Sequence, residues 1–286
     1  MAERFGFIGL GQMGGPMAAN IAAGGFPLVV HDRAGADLAP DGAQALDSNQ
    51  AVAREAETIF LSLPDGAISL AVVDEIAATE DRRASVIVDL STIGPEAARA
   101  ADERCRAAGI TYIDAPVSGG QAGARAGTIT IMLAGPKPVV DAHNDVFKSF
   151  SANPFHVGET PGQGQALKIL NNFLSGTAMA ATSEAMLYGL SEGLDMKTML
   201  DVVNVSTGQN TASLDKFPKR ILSGSFDAGF KTALLAKDVR LFLDNATAAG
   251  TPVRIGEAVT RLWEDTNRAL PDSDFTRVYE FIRDKK

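Results

Sequence analysis

The sequence predicts an α/β domain with a mostly parallel, doubly wound sheet, followed by an all-α domain that a long helix joins to it. Two observations predict this fold class. The first half alternates short runs of Ile, Val, Leu and Phe with helix-forming segments, the pattern of parallel strands with helices on both faces of the sheet. After Pro161 the strand pattern stops and only helical segments follow. We therefore predict domains at residues 1–163 and 164–286.

In the first domain, compact apolar runs predict the strands and helix-forming runs predict the helices between them. The predicted strands are Arg4–Leu10, Leu28–Asp32, Thr58–Leu63, Ser85–Asp89, Thr111–Ala115 and Ile129–Leu133. The predicted helices are Met13–Ala23, Ser48–Glu55, Ala67–Ala78, Pro95–Ala108 and Val139–Phe150. Pro95 suits a first helical turn, where its missing N–H costs nothing.

In the second domain, the longest helical pattern runs from Gly164 to Glu192. Its small residues, such as Gly176, allow a neighbouring helix to approach closely, which predicts a central position in the domain. Shorter helices are predicted over Thr198–Asn204, Lys231–Ala249 and Val253–Arg268.

Composition and charge exclude several classes of function. A net charge of −9 argues against a nucleic-acid partner, whose phosphates such a charge would repel. The single cysteine, Cys105, allows no intramolecular disulfide and no thiolate zinc site, and no metal is expected. The sequence shows no signal peptide and no run of ~20 apolar residues that could span a bilayer. We therefore expect a soluble, cytoplasmic protein without a membrane partner.

The first predicted strand ends in the glycine-rich loop GLGQMG, residues 9–14, and a helix follows at once. This context is the one a dinucleotide-binding loop requires. The first glycine allows the tight turn, the second lets the pyrophosphate approach the backbone, and the third lets the helix pack on the strand. The phosphate charge then faces the positive end of the helix dipole. The candidate cofactor contacts here are Gly9, Gly11, Gln12, Met13 and Gly14.

An acid at the end of the second predicted strand points to the kind of dinucleotide. Asp32 lies about 20 residues beyond the loop, where a carboxylate accepts hydrogen bonds from the ribose hydroxyls of NAD. The neighbouring Arg33 complicates this, because a guanidinium can instead bind the 2′-phosphate of NADP. We predict NAD, with NADP as the alternative.

Two further segments carry candidate chemistry. Ser118, Gly119 and Gly120 offer a hydroxyl and exposed N–H groups that suit a carboxylate, although a plain glycine turn would have the same sequence. Lys168 and Asn172 are four residues apart on a predicted helix and so share one face. Burial lowers the pKa of lysine towards working pH, which suits a proton shuttle, whereas most lysines in a first helical turn are solvated.

Lys237 and Asp238, taken alone, are typical of an exposed charged pair, and Phe230 is typical of a core residue. The three histidines lack the surroundings of a known hydrolase or metalloenzyme motif.

These segments together resemble the β-hydroxyacid dehydrogenase family, typified by 3-hydroxyisobutyrate dehydrogenase and tartronate semialdehyde reductase, over nearly the whole chain. The resemblance is carried by the following motifs: GFIGLGQMGGPMAANI at the start, LSLP at 61–64, DLSTIGP at 89–95, DAPVSGGQAGARAGT at 114–128, GQGQALKILNN at 162–172 and KDVRLFLDNA at 237–246.

The resemblance implies a Rossmann domain and a helical domain with the active site in the cleft between them. It also implies that Lys168 is the catalytic acid/base, that Asn172 binds the substrate, and that Ser118–Gly120 holds its carboxylate. The residues it places at the cofactor, together with Phe230, are Leu63, Pro64, Thr92 and Lys237. Family members form dimers or tetramers, so a homodimer or homotetramer is expected.

The predicted function is hydride transfer between NAD(P) and the β-hydroxyl carbon of a small hydroxy acid such as 3-hydroxyisobutyrate. Two alternatives remain open: a catalytically silent NAD(P)-binding scaffold and an imine reductase of the same fold. Members of both kinds typically replace the lysine that Lys168 matches. The segment STGQNTAS, residues 206–213, departs from the arginine-containing version of 3-hydroxyisobutyrate dehydrogenases, which leaves the identity of the acid open.

Overall fold

The computed structural model describes residues 3–284 and divides into two compact units. The first unit ends at Lys168 and the second begins at Ile169. This division lies inside the long helix α8 (Gln163–Ser191), whereas the sequence placed the domain boundary where that helix starts. The difference has a physical reason, because the first turn of α8 is hydrogen-bonded to residues at the strand ends of the first unit.

The first unit contains a mostly parallel sheet of nine strands, as predicted. Its strands are β1 (Phe5–Ile8), β2 (Leu28–His31), β3 (Ala43–Ala45), β4 (Thr58–Leu61), β5 (Val86–Asp89), β6 (Thr111–Asp114), β7 (Val117–Ser118), β8 (Ile129–Ala134) and β9 (Ser151–Gly158). The order is β3-β2-β1-β4-β5-β6-β8-β7, and β9 pairs with β8. The six neighbouring strands β3, β2, β1, β4, β5 and β6 are all parallel, while β8 runs antiparallel to β6 and β7.

Helices cover both faces of this sheet, which confirms the doubly wound prediction. They are α1 (Gly14–Ala23), α2 (Asn49–Glu55), α3 (Gly66–Ala77), α4 (Pro95–Ala107), α5 (Gly120–Ala126), α6 (Lys137–Ala142) and α7 (Asn144–Phe150). Two separate apolar clusters form the core, one with Met17 of α1 and one with Val73 of α3. The neighbouring strand residues Ile59 and Phe60 enter different clusters, because successive side chains of a strand point to opposite faces.

The helix predicted over Val139–Phe150 is wrong in one respect, since it is broken at His143 into α6 and α7. The ring Nδ1 of His143 donates to the Val139 carbonyl oxygen at 2.7 Å, the acceptor that a continuous helix would offer to the His143 backbone N–H. That N–H bonds to Val140 instead, which ends the regular helical pattern.

The second unit, described over residues 169–284, consists of helices joined by turns and loops, and the β-pairing within these residues is limited to one isolated bridge between Lys231 and Asp274. After α8 it contains α9 (Met196–Val203), a π-helical segment (Ala212–Ile221), α10 (Thr232–Ala248), α11 (Arg254–Ala269) and α12 (Val278–Asp284). Gly176 of α8 packs against the buried Trp263, whose Nε1 donates to the Gly176 carbonyl at 3.2 Å. A side chain at position 176 would crowd that indole, so the small residue serves close helix packing, as predicted.

Candidate active site

The glycines of the loop between β1 and α1 have different structural roles. Gly9 has a φ of +94°, and a Cβ there would overlap the Ser62 carbonyl oxygen. A Cβ on Gly14 would overlap the Gly9 carbonyl oxygen, so both positions require glycine for packing. By contrast, no described atom lies within 4 Å of a Cβ built on Gly11. Because Gly11 has no side chain, the backbone at this position is accessible where a dinucleotide phosphate would approach.

The start of α1 suits a phosphate group. Helix α1 begins at Gly14, and its N-cap residue Met13 makes no side-chain capping hydrogen bond. The first N–H groups of a helix have no partner inside the helix and carry the positive end of its dipole. The loop residues Gly11 and Gln12 are exposed beside this helix end. These residues fit the pyrophosphate of a dinucleotide cofactor.

Asp32 follows β2 directly and is tied to this loop. Its Oδ2 accepts from the Leu10 backbone N–H at 2.6 Å, and its Oδ1 accepts from the Ala34 N–H at 2.8 Å. A carboxylate has about four acceptor positions, so the two bonds orient Asp32 and leave capacity for ribose hydroxyls. Arg33 is exposed.

The loops after β4 and β5 meet at the same edge of the sheet. The Leu63 backbone N–H donates to Ser91 Oγ at 2.8 Å, which joins the two loops. Pro64 is exposed and Thr92 is half-buried. Because ligands of doubly wound sheets bind at the carboxyl ends of the strands, these residues lie at the expected edge for a cofactor.

Ser118, Gly119 and Gly120 form a strand-to-helix turn between β7 and α5. Gly119 has a φ of +137° and Gly120 a φ of +64°, a region in which residues with side chains are strained. A Cβ on Gly119 would lie 3.1 Å from the Ile129 side chain, whereas a Cβ on Gly120 would meet no described atom within 4 Å. The short strand β7 and helix α5 were not predicted, because two strand residues and the stretch GQAGARA carry little apolar pattern.

Lys168 and Asn172 lie one turn apart on α8, as predicted, and both are buried. Their exposed fractions are 8% and 6%, so Lys168 is not the solvated lysine that its position in a first helical turn would suggest. Burying a lysine is costly unless its amine has partners, so burial marks this position as unusual.

Asp238 of α10 corrects the interpretation of Lys237 and Asp238 as an exposed charged pair. The Asp238 side chain is buried, with 2% exposed, while Lys237 is partly exposed and its Nζ lies 3.4 Å from Asp238 Oδ1. Asp238 Oδ2 accepts from Asn172 Nδ2 at 2.6 Å. Asn171 Nδ2 in turn donates to Asn172 Oδ1 at 3.2 Å, so the Asn172 amide is held at both ends. Phe230 is half-buried and packs edge-on against Phe275.

Two buried carboxyl groups that sequence reasoning missed stand at the ends of β5 and β6. Burial raises the pKa of Asp89, against the lowering effect of hydrogen bonds from Ser91 and Tyr112. Burial also raises the pKa of Asp114 to about 7, against the lowering effect of hydrogen bonds from Gln165 and Gly162. The sequence could have indicated both residues, because each lies at the end of a predicted parallel strand and functional groups gather at the carboxyl ends of such strands.

Comparisons with known proteins extend over both units. Residues 4–158 match the family described as the NAD binding domain of 6-phosphogluconate dehydrogenase. Residues 162–282 match the family described as NAD-binding of NADP-dependent 3-hydroxyisobutyrate dehydrogenase. The chain is 36% identical over 294 residues to 3-hydroxyisobutyrate dehydrogenase of Pseudomonas aeruginosa, covering 98% of each chain.

This chain belongs to the β-hydroxyacid dehydrogenase family. It is also 37% identical over 266 residues to 2-(hydroxymethyl)glutarate dehydrogenase of Eubacterium barkeri, covering 91% of this chain and 88% of that protein. The solved structure of Mycobacterium tuberculosis 3-hydroxyisobutyrate dehydrogenase with L-serine superposes with a TM-score of 0.90 at 28% identity, covering 99% of this chain and 100% of that one. The family resemblance is thus confirmed.

As a β-hydroxyacid dehydrogenase, the protein uses a nicotinamide cofactor and interconverts the CH–OH group of a small hydroxy acid and the C=O group of the corresponding oxo acid. Within residues 3–284, no helix is long and apolar enough to cross a membrane.

Proposed function

We propose that this β-hydroxyacid dehydrogenase transfers a hydride to or from the carbon that bears the hydroxyl of a 3-hydroxy acid, with Lys168 moving the proton. The observation that carries the proposal is the burial of Lys168 and Asn172 one turn apart on α8. A lysine loses its proton within reach of working pH when its surroundings favour the neutral amine, whereas an arginine does not.

In the oxidation, the Lys168 amine removes the hydroxyl proton, the hydride leaves the carbon that bears this hydroxyl, and the C=O bond forms. In the reduction, the Lys168 ammonium returns that proton to the alkoxide oxygen. A bound nicotinamide supplies or accepts the hydride at its C4. General acid–base assistance of this kind contributes ~10²–10⁴-fold to the rate.

Asn172 is proposed to orient the substrate hydroxyl, and Ser118, Gly119 and Gly120 to bind the carboxylate. Asp238 accepts a hydrogen bond from Asn172 Nδ2, which supports the proposal by fixing the orientation of the Asn172 amide. The positive φ angles at Gly119 and Gly120 suit backbone N–H groups that converge on an anion.

The substrate class is proposed from the chemistry that two relatives share. Both 3-hydroxyisobutyrate and 2-(hydroxymethyl)glutarate carry a primary alcohol on the carbon next to the one that bears a carboxylate. We therefore propose a 2-substituted 3-hydroxypropionate as the substrate of this chain. The test is an NAD(P)H absorbance screen over such acids with both cofactors. Turnover on this class supports the proposal, and no absorbance change with any acid would favour a catalytically silent scaffold.

We further propose NAD as the preferred cofactor, with Asp32 accepting from the ribose hydroxyls and Leu63, Pro64, Thr92, Phe230 and Lys237 as further contacts. Asp32 is held against the glycine-rich loop by Leu10, where its charge would repel a 2′-phosphate. The exposed Arg33 next to it favours NADP instead. A higher kcat/KM with NAD than with NADP is expected, and a marked preference for NADP would contradict this assignment.

A homodimer or homotetramer is proposed as well. The helical unit exposes several large apolar side chains, including Leu174, Tyr188, Val205 and Ile255. Large apolar side chains that are exposed in one chain can be buried where two copies meet. Light scattering after size-exclusion chromatography tests this, and a monomer at micromolar concentration would contradict it.

A further inference from the structure

The side chain of Gln165, in the first turn of α8, uses every hydrogen-bonding position that an amide has. It is completely buried. Its Nε2 donates to the Ser91 carbonyl oxygen at 2.9 Å and to Asp114 Oδ1 at 2.8 Å. Its Oε1 accepts from the backbone N–H groups of Ile93 at 2.9 Å and Gly94 at 3.1 Å. Since an amide offers two donor hydrogens and two acceptor lone pairs, no capacity is left over.

Asp114 holds the same helical turn by its backbone. Its Oδ2 accepts from the N–H groups of Gly162 at 2.9 Å and Gln165 at 3.0 Å. The carboxylate therefore caps the start of α8 from the end of β6, where the helix dipole favours negative charge. Bonds to both the backbone and the side chain of Gln165 fix the helix in translation and in rotation about its own axis.

The glycines before Lys168 permit this close attachment. A Cβ on Gly164 would overlap the Met132 carbonyl oxygen and lie 3.0 Å from Asp114 Oδ2. Gly162 has a φ of +98°, and a Cβ there would lie 3.1 Å from the Pro95 carbonyl oxygen. Both glycines are needed where they stand because the start of α8 lies close to the backbone of β8, the end of β6 and the first turn of α4.

The attachment joins residues that the proposed function uses. Lys168 is three residues beyond Gln165, on the same side of the helix. The loop bonded to the Gln165 amide, Ser91–Gly94, contains Thr92, and Ser91 also receives the Leu63 N–H. One hydrogen-bonded network thus connects the turn that carries Lys168 with two proposed cofactor contacts.

We propose that Gln165 is a positioning residue, which with Asp114 sets the first turn of α8, and hence Lys168, against the Ser91–Gly94 loop. This rests on the proposed function of Lys168. Fully satisfied buried networks specify one geometry more strictly than apolar packing of the same volume. A misplacement of about 1 Å at a reacting group costs on the order of 10²-fold in rate.

The first test is Gln165→Met, which keeps the length of the side chain and removes all four hydrogen bonds. We expect kcat to fall ~10–100-fold, with a smaller change in the KM of the hydroxy acid. Independently of activity, amide hydrogen exchange of the protein without cofactor should rise in peptides covering residues 91–95 and 162–168. The control Gln44→Met changes an exposed glutamine of β3 and should alter neither quantity. A kcat within twofold of the unchanged enzyme would overturn the proposal.

The second test exchanges the two partners. Gln165→Glu alone sets a carboxylate against Asp114, and Asp114→Asn alone sets an amide against the Gln165 amide. In the double variant the introduced amide donates to the introduced carboxylate, and the bonds to Ile93, Gly94 and Gly162 are retained. The bond to the Ser91 carbonyl oxygen is lost, because a carboxylate has no hydrogen to donate. Gln165→Glu also lacks the Ser91 bond, so we expect the double variant to exceed Gln165→Glu at least tenfold in kcat. If the losses of the two single variants simply add in the double variant, the proposal is overturned. It is also overturned if neither the double variant nor Gln165→Met folds, because the hydrogen bonds of Gln165 would then serve stability alone.

A comparison with Lys168→Ala separates the proposed role of Gln165 from the proposed role of Lys168, on which it rests. If Lys168→Ala keeps its turnover, the proposed role of Lys168 fails. If Lys168→Ala loses turnover while Gln165→Met does not, only the positioning role of Gln165 fails.

Discussion

Asn172 Nδ2 donates a hydrogen bond of 2.6 Å to the buried carboxylate of Asp238. The bond fixes the orientation of the Asn172 amide, with Nδ2 facing Asp238, on which the proposed substrate contact of Asn172 depends. An asparagine amide without such a bond can rotate by 180° at little cost in free energy, whereas an amide bonded to a buried carboxylate cannot. The two residues, 66 positions apart in the chain, therefore act as one unit.

Asp238→Asn is expected to lower kcat/KM for the hydroxy acid about 10- to 100-fold, because the new amide has one uncharged accepting oxygen in place of a carboxylate and holds Asn172 less firmly. Hydrogen bonds to charged groups contribute ~1.5–3 kcal/mol, which corresponds to that range. Steady-state kinetics measure it, with Asp244→Asn on the exposed side of α10 as the matched control. Equal kinetics in the two variants would contradict the orienting role.

Gly11→Ala and Gly14→Ala are expected to fail in different ways. A methyl group at position 11 meets no described atom within 4 Å, so Gly11→Ala should fold normally and bind NADH at least tenfold more weakly. A methyl group at position 14 would overlap the Gly9 carbonyl oxygen, so Gly14→Ala should lower the Tm by several degrees. Thermal unfolding and NADH fluorescence titration measure both effects. Unchanged NADH affinity in Gly11→Ala would refute the assignment of the phosphate site.

Asp114 should make stability depend on pH. Burial raises its pKa from the ordinary 3.8 to about 7 in the folded protein, so between these values the folded state binds the proton more tightly than the unfolded state. The free energy of unfolding therefore falls as the pH rises from about 4 to about 7, by up to about 1.4 kcal/mol per pH unit for this one group.

Asp114→Asn removes that titration. Denaturant unfolding at several pH values should show the free energy of unfolding of the variant rising relative to that of the original protein from pH 4 to pH 7, with a constant difference above pH 7. Parallel stability curves across the whole range would show that Asp114 does not titrate there.

The sequence predicts most of the first unit, because apolar strands and a glycine-rich loop leave a local pattern. Strand β9 was missed because only one of its residues is fully buried and because it contains Pro154, which is tolerated where a strand pairs on one side only. The π-helical segment Ala212–Ile221 was missed because Pro218 and several charges disguise a helix in the local pattern. Both failures lie where tertiary packing, rather than local pattern, decides the conformation.

The candidate site was predicted unevenly for a similar reason. Lys168 and Asn172 could be paired from their spacing, since helical geometry alone places them on one face. The burial of Asp238 could not be predicted, because a charged residue in a helix has the same local sequence whether it faces solvent or a buried asparagine. The role of Gln165 depends on partners 51 to 74 residues away, and no spacing rule reports such contacts.

The most direct test of the central claim is the turnover of Lys168→Ala on an accepted 3-hydroxy acid, with Lys197→Ala as an exposed-lysine control. NADH binding and Tm are measured alongside, so that a loss of folding or of cofactor affinity is recognised. If Lys168 moves the proton, kcat falls ~10²–10⁴-fold while NADH binding persists and Lys197→Ala is unaffected. Turnover of Lys168→Ala close to that of the unchanged enzyme would contradict the account.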